Sequence, residues 1–275
     1  DAFSILCLLA GKTNRMKLAT GIVNVYSRSP ALLAQSFATL DEISGGRAII
    51  GLGTSGPIVV KNWHSQAFDK PMTRTREAVE IIQLALSGER VDYEGACFRL
   101  EGFRLLIRPI QDRIPIYLAT LKSRAVRQTG EIADGWLPTH VSVRNIEASR
   151  APLVAGANEA GRDPLEIDIA ALTLVACSDD GETARALCRE HLAYYIGGMG
   201  TFYHELMDGY GYGDVADRIQ SAWRNGNRAG AADVIPRDVL DDLVVAGNRA
   251  CLLYTSDAAD EGLGVALGGR RIITK

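Results

Sequence analysis

Strands alternate with long helices along most of this chain, and that order constrains its fold more than any other feature. Asp1–Gly11 reads as a helix with Asp1 as its N-cap, and Met16–Val23 reads as a strand rich in apolar and β-compatible residues. Pro30–Ile43 reads as a helix, with proline in its first turn and Gly45-Gly46 past its end. The pattern continues with a strand at Arg47–Leu52 and a helix at Pro71–Ser87, whose Val79, Ile82 and Leu86 share one face. A hairpin follows, turning at Glu94-Gly95. Then come strand Ile114–Ala119, helix Ser123–Ala133, strand Gly135–Pro138, helix Val143–Gly161 and strand Ile167–Ala176. Strands separated by helices of ten or more residues make parallel βα units, which build either an open doubly wound sheet or a (β/α)8 barrel.

Residues at the strand ends favour the barrel. No GxGxxG follows the first strand, which weakens a dinucleotide-binding reading. Small or polar residues stand just past each strand instead: Asn24 to Ser27, Thr54-Ser55-Gly56, Thr120-Leu121-Lys122 and Thr139-His140. In a barrel these ends converge on one face and build a pocket floor with few charges. The stretch from Gly51 to Gly56 is the sharpest case. A tight turn accounts for it, and so does a backbone that approaches a bound ring or phosphate. Lys122-Ser123-Arg124 opens a helix whose free N–H groups suit an anion, although a solvated helix start reads the same way. His64, in an irregular loop beside Trp63, and His140, just past a strand end, are the candidates for proton transfer, a role histidine commonly fills. The acidic run Asp238, Asp241 and Asp242 reads as a solvated helix face.

Composition excludes several classes. With 33 acidic and 30 basic residues the net charge is −3, so no nucleic-acid or anionic-membrane partner is implied. Five scattered cysteines without a CxxC pair fit free thiols in a cytoplasmic setting. Four histidines without paired spacing predict no metal site. No apolar run is long enough to span a bilayer. From Asp179 to Asp242 the pattern turns mostly helical, which reads as an insertion (about 179–242) before a last strand at Leu243–Ala246.

Three runs carry a family resemblance. "LATGIVNVYSRSPALLAQSFATLDEISGGRAIIGLGTSGP" is similar to the core segment of the bacterial-luciferase-like flavin and deazaflavin oxidoreductases. "WHSQAFDKPMTRTREAVEII" and "PIYLATLKSRAVRQTGEIADGWLPT" resemble the branch that uses the deazaflavin coenzyme F420. The resemblance runs from about Ala2 to Gly247. It implies a luciferase-like (β/α)8 TIM barrel, a cytoplasmic enzyme, and a homodimer of complete chains. The activity it implies is hydride transfer between C5 of F420 and a small organic substrate. An FMN-dependent monooxygenase of the same fold is the alternative, and a cofactor-holding barrel without turnover a third.

The resemblance also implies roles for residues. Gly21 and Ile22 match the place of a non-prolyl cis peptide that bulges against the cofactor ring, and Asn24 follows as a contact. Thr54, Ser55 and Gly56 lie along the deazaflavin. Ala119, Thr120, Leu121, Lys122, Ser123, Arg124 and Ala125 hold the phosphate and tail, while Thr139 and His140 touch substrate. Sugar-phosphate dehydrogenases of the family carry a glutamate where Gly56 stands here, which argues against that substrate. The family's first strands, with a common acid/base residue, precede Asp1, so His64 is the catalytic candidate within the chain. The barrel is therefore expected to be incomplete at both ends. Its domain spans 1–250, and a tail at 251–275 resembles translated sequencing adapter ("CLLYTSDAADE").

Overall fold

The computed structural model describes residues 1–250 and Leu252, so the tail expected at 251–275 lies, apart from Leu252, outside the described residues. The described chain forms two compact units. Unit 1 holds Asp1–Leu137 and Pro152–Ala170, and unit 2 holds Pro138–Ala151 and the chain from Ala171 onward.

Unit 1 is a parallel sheet with helices between its strands. Helix α1 (Ala2–Ala10) is capped by the Asp1 carboxylate, which accepts from the Ser4 N–H. The strand expected at Met16–Val23 is in fact two short strands, β1 (Leu18–Ala19) and β2 (Val23–Asn24). The cis peptide Gly21–Ile22 lies between them, at the position where the resemblance places one. Helix α2 (Pro30–Ser44) starts on Ser29, whose hydroxyl accepts from Leu32 N–H, and stops at Gly45 with φ +67°. That is the left-handed conformation glycine adopts at low cost. Strand β3 (Ala48–Gly53) is central and pairs in parallel with β1, β2 and β6 (Ile116–Ala119). Helix α3 (Pro71–Leu86) and the antiparallel hairpin β4 (Arg90–Glu94) and β5 (Arg99–Arg104) lie between β3 and β6 in sequence. The turn of that hairpin is held by Glu77, whose carboxylate accepts from the N–H groups of Ala96, Cys97 and Phe98. Helix α4 (Ser123–Ile132), β7 (Gly135–Trp136), α5 (Ile146–Glu159) and β8 (Asp168–Ile169) follow, giving the sheet order β1-β3-β6-β7-β8.

On the two central strands the deepest-buried side chains recur at every second position. Ile50, Leu52, Ile116 and Leu118 are fully or almost fully buried, against Leu33, Phe37 and Leu40 of α2 and Val79 and Ile82 of α3. Each such side chain contributes about 1.5–3 kcal/mol by leaving water. One buried cation organises the loop into β1. The Arg47 guanidinium donates to the carbonyls of Ala10, Thr13, Met16 and Ser44 and to the Thr13 hydroxyl, at 2.6–3.0 Å.

Unit 2 pairs β9 (Leu174–Cys177) in parallel with β10 (Val244–Gly247). The strand expected at Ile167–Ala176 is thus also two strands, β8 and β9, which belong to different units. Five helices occupy the region between β9 and β10: α6 (Gly181–Gly198), α7 (Phe202–Gly209), α8 (Gly213–Arg224), α9 (Arg228–Asp233) and α10 (Arg237–Leu243). Their core joins Leu192 and Ile196 of α6 to Ile219 of α8 and Val239 and Leu240 of α10. Asp242 corrects the reading of a solvated acidic face, since it is 4% exposed. Its carboxylate accepts from the Ser142 hydroxyl, the Arg144 N–H and the Tyr212 hydroxyl. A buried carboxylate is tolerated when donors replace its water in this way.

Candidate functional site

The parallel register of unit 1 brings Asn24, Gly53 and Ala119 side by side across three strands. The loops that leave β2, β3 and β6 therefore start from one edge of the sheet. Most of the expected cofactor residues are on this edge or the loops leaving it: Asn24, Thr54, Ser55, Gly56, Ala119, Thr120, Leu121, Lys122, Ser123 and Arg124.

Here the glycines of β3 divide into two kinds. A Cβ on Gly51 would stand 1.7 Å from the Thr20 carbonyl oxygen, so residue 51 is glycine because β1 approaches it. The Thr20 hydroxyl donates to the Gly51 carbonyl at 2.6 Å across the same gap. A Cβ on Gly53 would press on the Ile22 side chain at 3.1 Å. Gly51 and Gly53 thus answer to protein contacts. Gly56 differs: nothing stands within 4 Å of its would-be Cβ, and it follows Ser55, a non-glycine residue at φ +58°.

His64 reaches this edge from the end of a π-helical turn at Val59–Trp63, where an irregular loop was expected. Its Nε2 lies 3.3 Å from the Asn24 side-chain nitrogen. Asn24 Oδ1 accepts from the N–H groups of Tyr26 and Ser27, at 3.0 and 2.7 Å, so the amide nitrogen faces the imidazole. An amide nitrogen only donates, so His64 Nε2 accepts and its ring proton sits on Nδ1. The ring is exposed to solvent.

The Thr120 hydroxyl and carbonyl are engaged within the protein. Thr129 donates to the Ala125 carbonyl at 3.0 Å, so it accepts from the Thr120 hydroxyl at 2.9 Å. The Thr120 side chain is spent on holding α4, and its carbonyl accepts from the Trp136 indole N–H at 2.9 Å. The start of α4 is more open. Its N-cap is Lys122, no side chain caps it, and Lys122, Ser123 and Arg124 are all exposed. An uncapped helix start with two bases beside it attracts anions through its N–H groups and its dipole.

Thr139 and His140 belong to unit 2. Thr139 makes a bridge to Leu172 and donates to its carbonyl at 3.4 Å. His140 is 7% exposed, at φ +52°, and its ring meets those of Tyr195 (5.1 Å between centroids), Tyr203 (5.4 Å) and His191 (5.9 Å). Burial, and secondarily the neighbouring His191, lower the His140 pKa to about 4, so its imidazole is neutral at pH 7. Burial also lowers that of His191. His191, Tyr195 and Tyr203 were missed in the sequence. The His191–Tyr195 spacing of one helical turn was the available signal. No group of three or more His, Cys, Asp or Glu side chains that could hold a metal occurs among the described residues. None of their helices is long and apolar enough to cross a membrane.

A parallel βα sheet with its small and polar residues gathered at one strand edge is the frame of an α/β-barrel oxidoreductase, and comparison with known proteins makes the class definite. The chain belongs to the luciferase-like monooxygenase family, whose model matches residues 1–252. It is 34% identical to a protein of Mycobacterium tuberculosis named, provisionally, a coenzyme F420-dependent oxidoreductase, over 90% of this chain and 77% of that one. It is 32% identical to a 5,10-methylenetetrahydromethanopterin reductase of Methanopyrus kandleri, over 89% of this chain and 73% of the relative. Among solved structures, the F420-dependent tetrahydromethanopterin reductase of the same organism superposes with a TM-score of 0.83 at 28% identity. That match covers 97% of this chain and 80% of the other. The fold is therefore the luciferase-like barrel fold expected from the sequence.

Proposed function

We propose that this chain is an F420-dependent oxidoreductase that moves a hydride between the deazaflavin C5 and a small organic substrate. The observation that carries this is the strand edge of unit 1, where the open flank of Gly56 adjoins the Asn24–Gly53–Ala119 row. Two proteins named for F420, at 34% and 28% identity, support the choice of cofactor.

When bound, F420 supplies a ring carbon that takes or gives a hydride. The residues present fit such a group. Gly56 presents backbone without a side chain to a flat ring, and Gly21, Ile22, Asn24, Thr54 and Ser55 border the same edge. The start of α4, with Lys122, Ser123 and Arg124, suits an anionic tail. Ala119 and Leu121 flank the approach. Turning a carbonyl into an alcohol takes a proton as well as a hydride. His64 is the candidate to hold it, with Asn24 fixing its tautomer. Thr139 and His140 are the candidates for substrate contact. A soluble small molecule is the substrate class, and we propose a cytoplasmic homodimer as the working form.

Fluorescence titration with F420 and with FMN tests this. F420 should bind at least about ten-fold tighter, equivalent to about 1.4 kcal/mol. Equal or tighter FMN binding overturns the reading and favours an FMN-dependent enzyme, with the monooxygenase activity that the family's name describes.

A further inference from the structure

The buried imidazole of His140 is chemically unfinished. Its Nδ1 is buried and has no hydrogen-bond partner. Leaving a buried polar atom without a partner is costly, and a phenylalanine would pack among the same rings without that penalty. The three rings around it are only half-buried, so the cluster has a solvent side. His191 stacks on Tyr195 at 4.6 Å and 26°, and Tyr203 stands edge-on to both His140 (82°) and Tyr195 (85°). The influences that set the His140 charge state are burial and His191, neither of which is an acid. A carboxylate ligand would meet no positive charge from these rings, and an ammonium no negative one.

We infer that His140, His191, Tyr195 and Tyr203 form a subsite for an uncharged, ring-bearing ligand whose hydroxyl completes the hydrogen bonding of His140 Nδ1. The inference rests on reading His140 as a substrate residue and adds the class of substrate. A hydroxyl serves either tautomer, since it donates to a bare Nδ1 and accepts from a protonated one. The flat part of the ligand lies against tyrosine rings, which prefer offset or edge-on aromatic contacts. Turning the imidazole about its Cβ–Cγ bond, or swinging Tyr203 aside, opens the way to Nδ1. His191 and Tyr195 stand on consecutive turns of α6 and stack on each other.

Three probes of one size test it: benzyl alcohol, benzoate and benzylammonium. Binding is followed in the full chain through the ring 15N signals of labelled histidine. Benzyl alcohol should shift the His140 signals and bind at least about ten-fold tighter than either ion. His140→Phe should abolish that preference while melting at the same temperature or higher. Equal or tighter binding of an ion overturns the inference, as does a preference that survives His140→Phe. Failure of all three probes to move the His140 signals in the wild-type chain overturns it too, and that measurement needs no variant. F420 is absent throughout, so the outcome is separable from the cofactor titration.

Discussion

The strand edge of unit 1 and the ring cluster of unit 2 solve opposite problems. At the strand edge the polar groups are spent on one another. Asn24 holds two backbone N–H groups and His64, Thr20 holds Gly51, and Thr120 holds Thr129. What is left open there is space at Gly56 and, for an anion, the uncapped start of α4. In the ring cluster it is the bonding that is open, at His140 Nδ1. The contrast separates two ways of being ready for a ligand. A large flat group fits where atoms are missing but partners are satisfied. A ligand's hydroxyl is recognised where one partner is missing.

The hardest way to break the comparison is through Gly51. Its alanine variant drives a Cβ into the Thr20 carbonyl, where main chain cannot yield cheaply. Urea denaturation should show a loss of about 4 kcal/mol or more, the range of a severe steric clash. If Gly51→Ala is as stable as the parent, protein contacts do not set this edge.

Acid should sharpen the other side. His140 has a folded pKa of about 4 against the ordinary 6.5, so the unfolded chain takes up the proton first. The neutral ring's contribution is whole above pH 6.5 and is lost as pH falls from 6.5 towards 4. The difference of about 2.5 units corresponds to about 3 kcal/mol. Thermal melts between pH 7 and pH 4 should show that decline, and His140→Phe should flatten it. An unchanged slope in the variant would mean that other groups carry the acid sensitivity.

The smallest effect is expected at Gly56. With nothing within 4 Å of the added methyl, Gly56→Ala should change stability by less than about 0.5 kcal/mol. The same methyl stands where the ring is proposed to lie, so F420 affinity should fall about ten-fold or more. A variant that binds F420 as tightly as the parent places the ring elsewhere.

What the sequence revealed follows the range of the forces involved. Helix ends were readable because they are local: Asp1 and Ser29 cap, Pro30 starts a turn, and Gly45 turns left-handed, each within a few residues. The candidate edge was readable for a related reason, since strand ends in parallel units align whatever the loops do. The roles of Gly51 and Thr120 were hidden, because they depend on partners brought together by packing, Thr20 across 31 positions and Thr129 on the next helix. Asp242 was misread for the same reason. Its partners lie 30 and about 100 residues away, and no local pattern distinguishes a buried acid from an exposed one on a short helix. The rings around His140 come from α6 and α7, more than 50 positions on, so the histidine was visible and its setting was not.

Arg47 has a consequence for how this chain can change over time. The connection from α1 to β1 is shaped by one guanidinium outside it, which gathers carbonyls of Ala10, Thr13 and Met16. Most of its residues need only supply main chain, and their side chains are free to drift. The information for the turn is stored at a distance, in a single codon. Lysine cannot stand in, because a point charge with three donors does not span the fan of acceptors that a planar fork of five donors reaches. The loop is therefore permissive and its keeper is not, and variation should accumulate in the first while it is purged from the second.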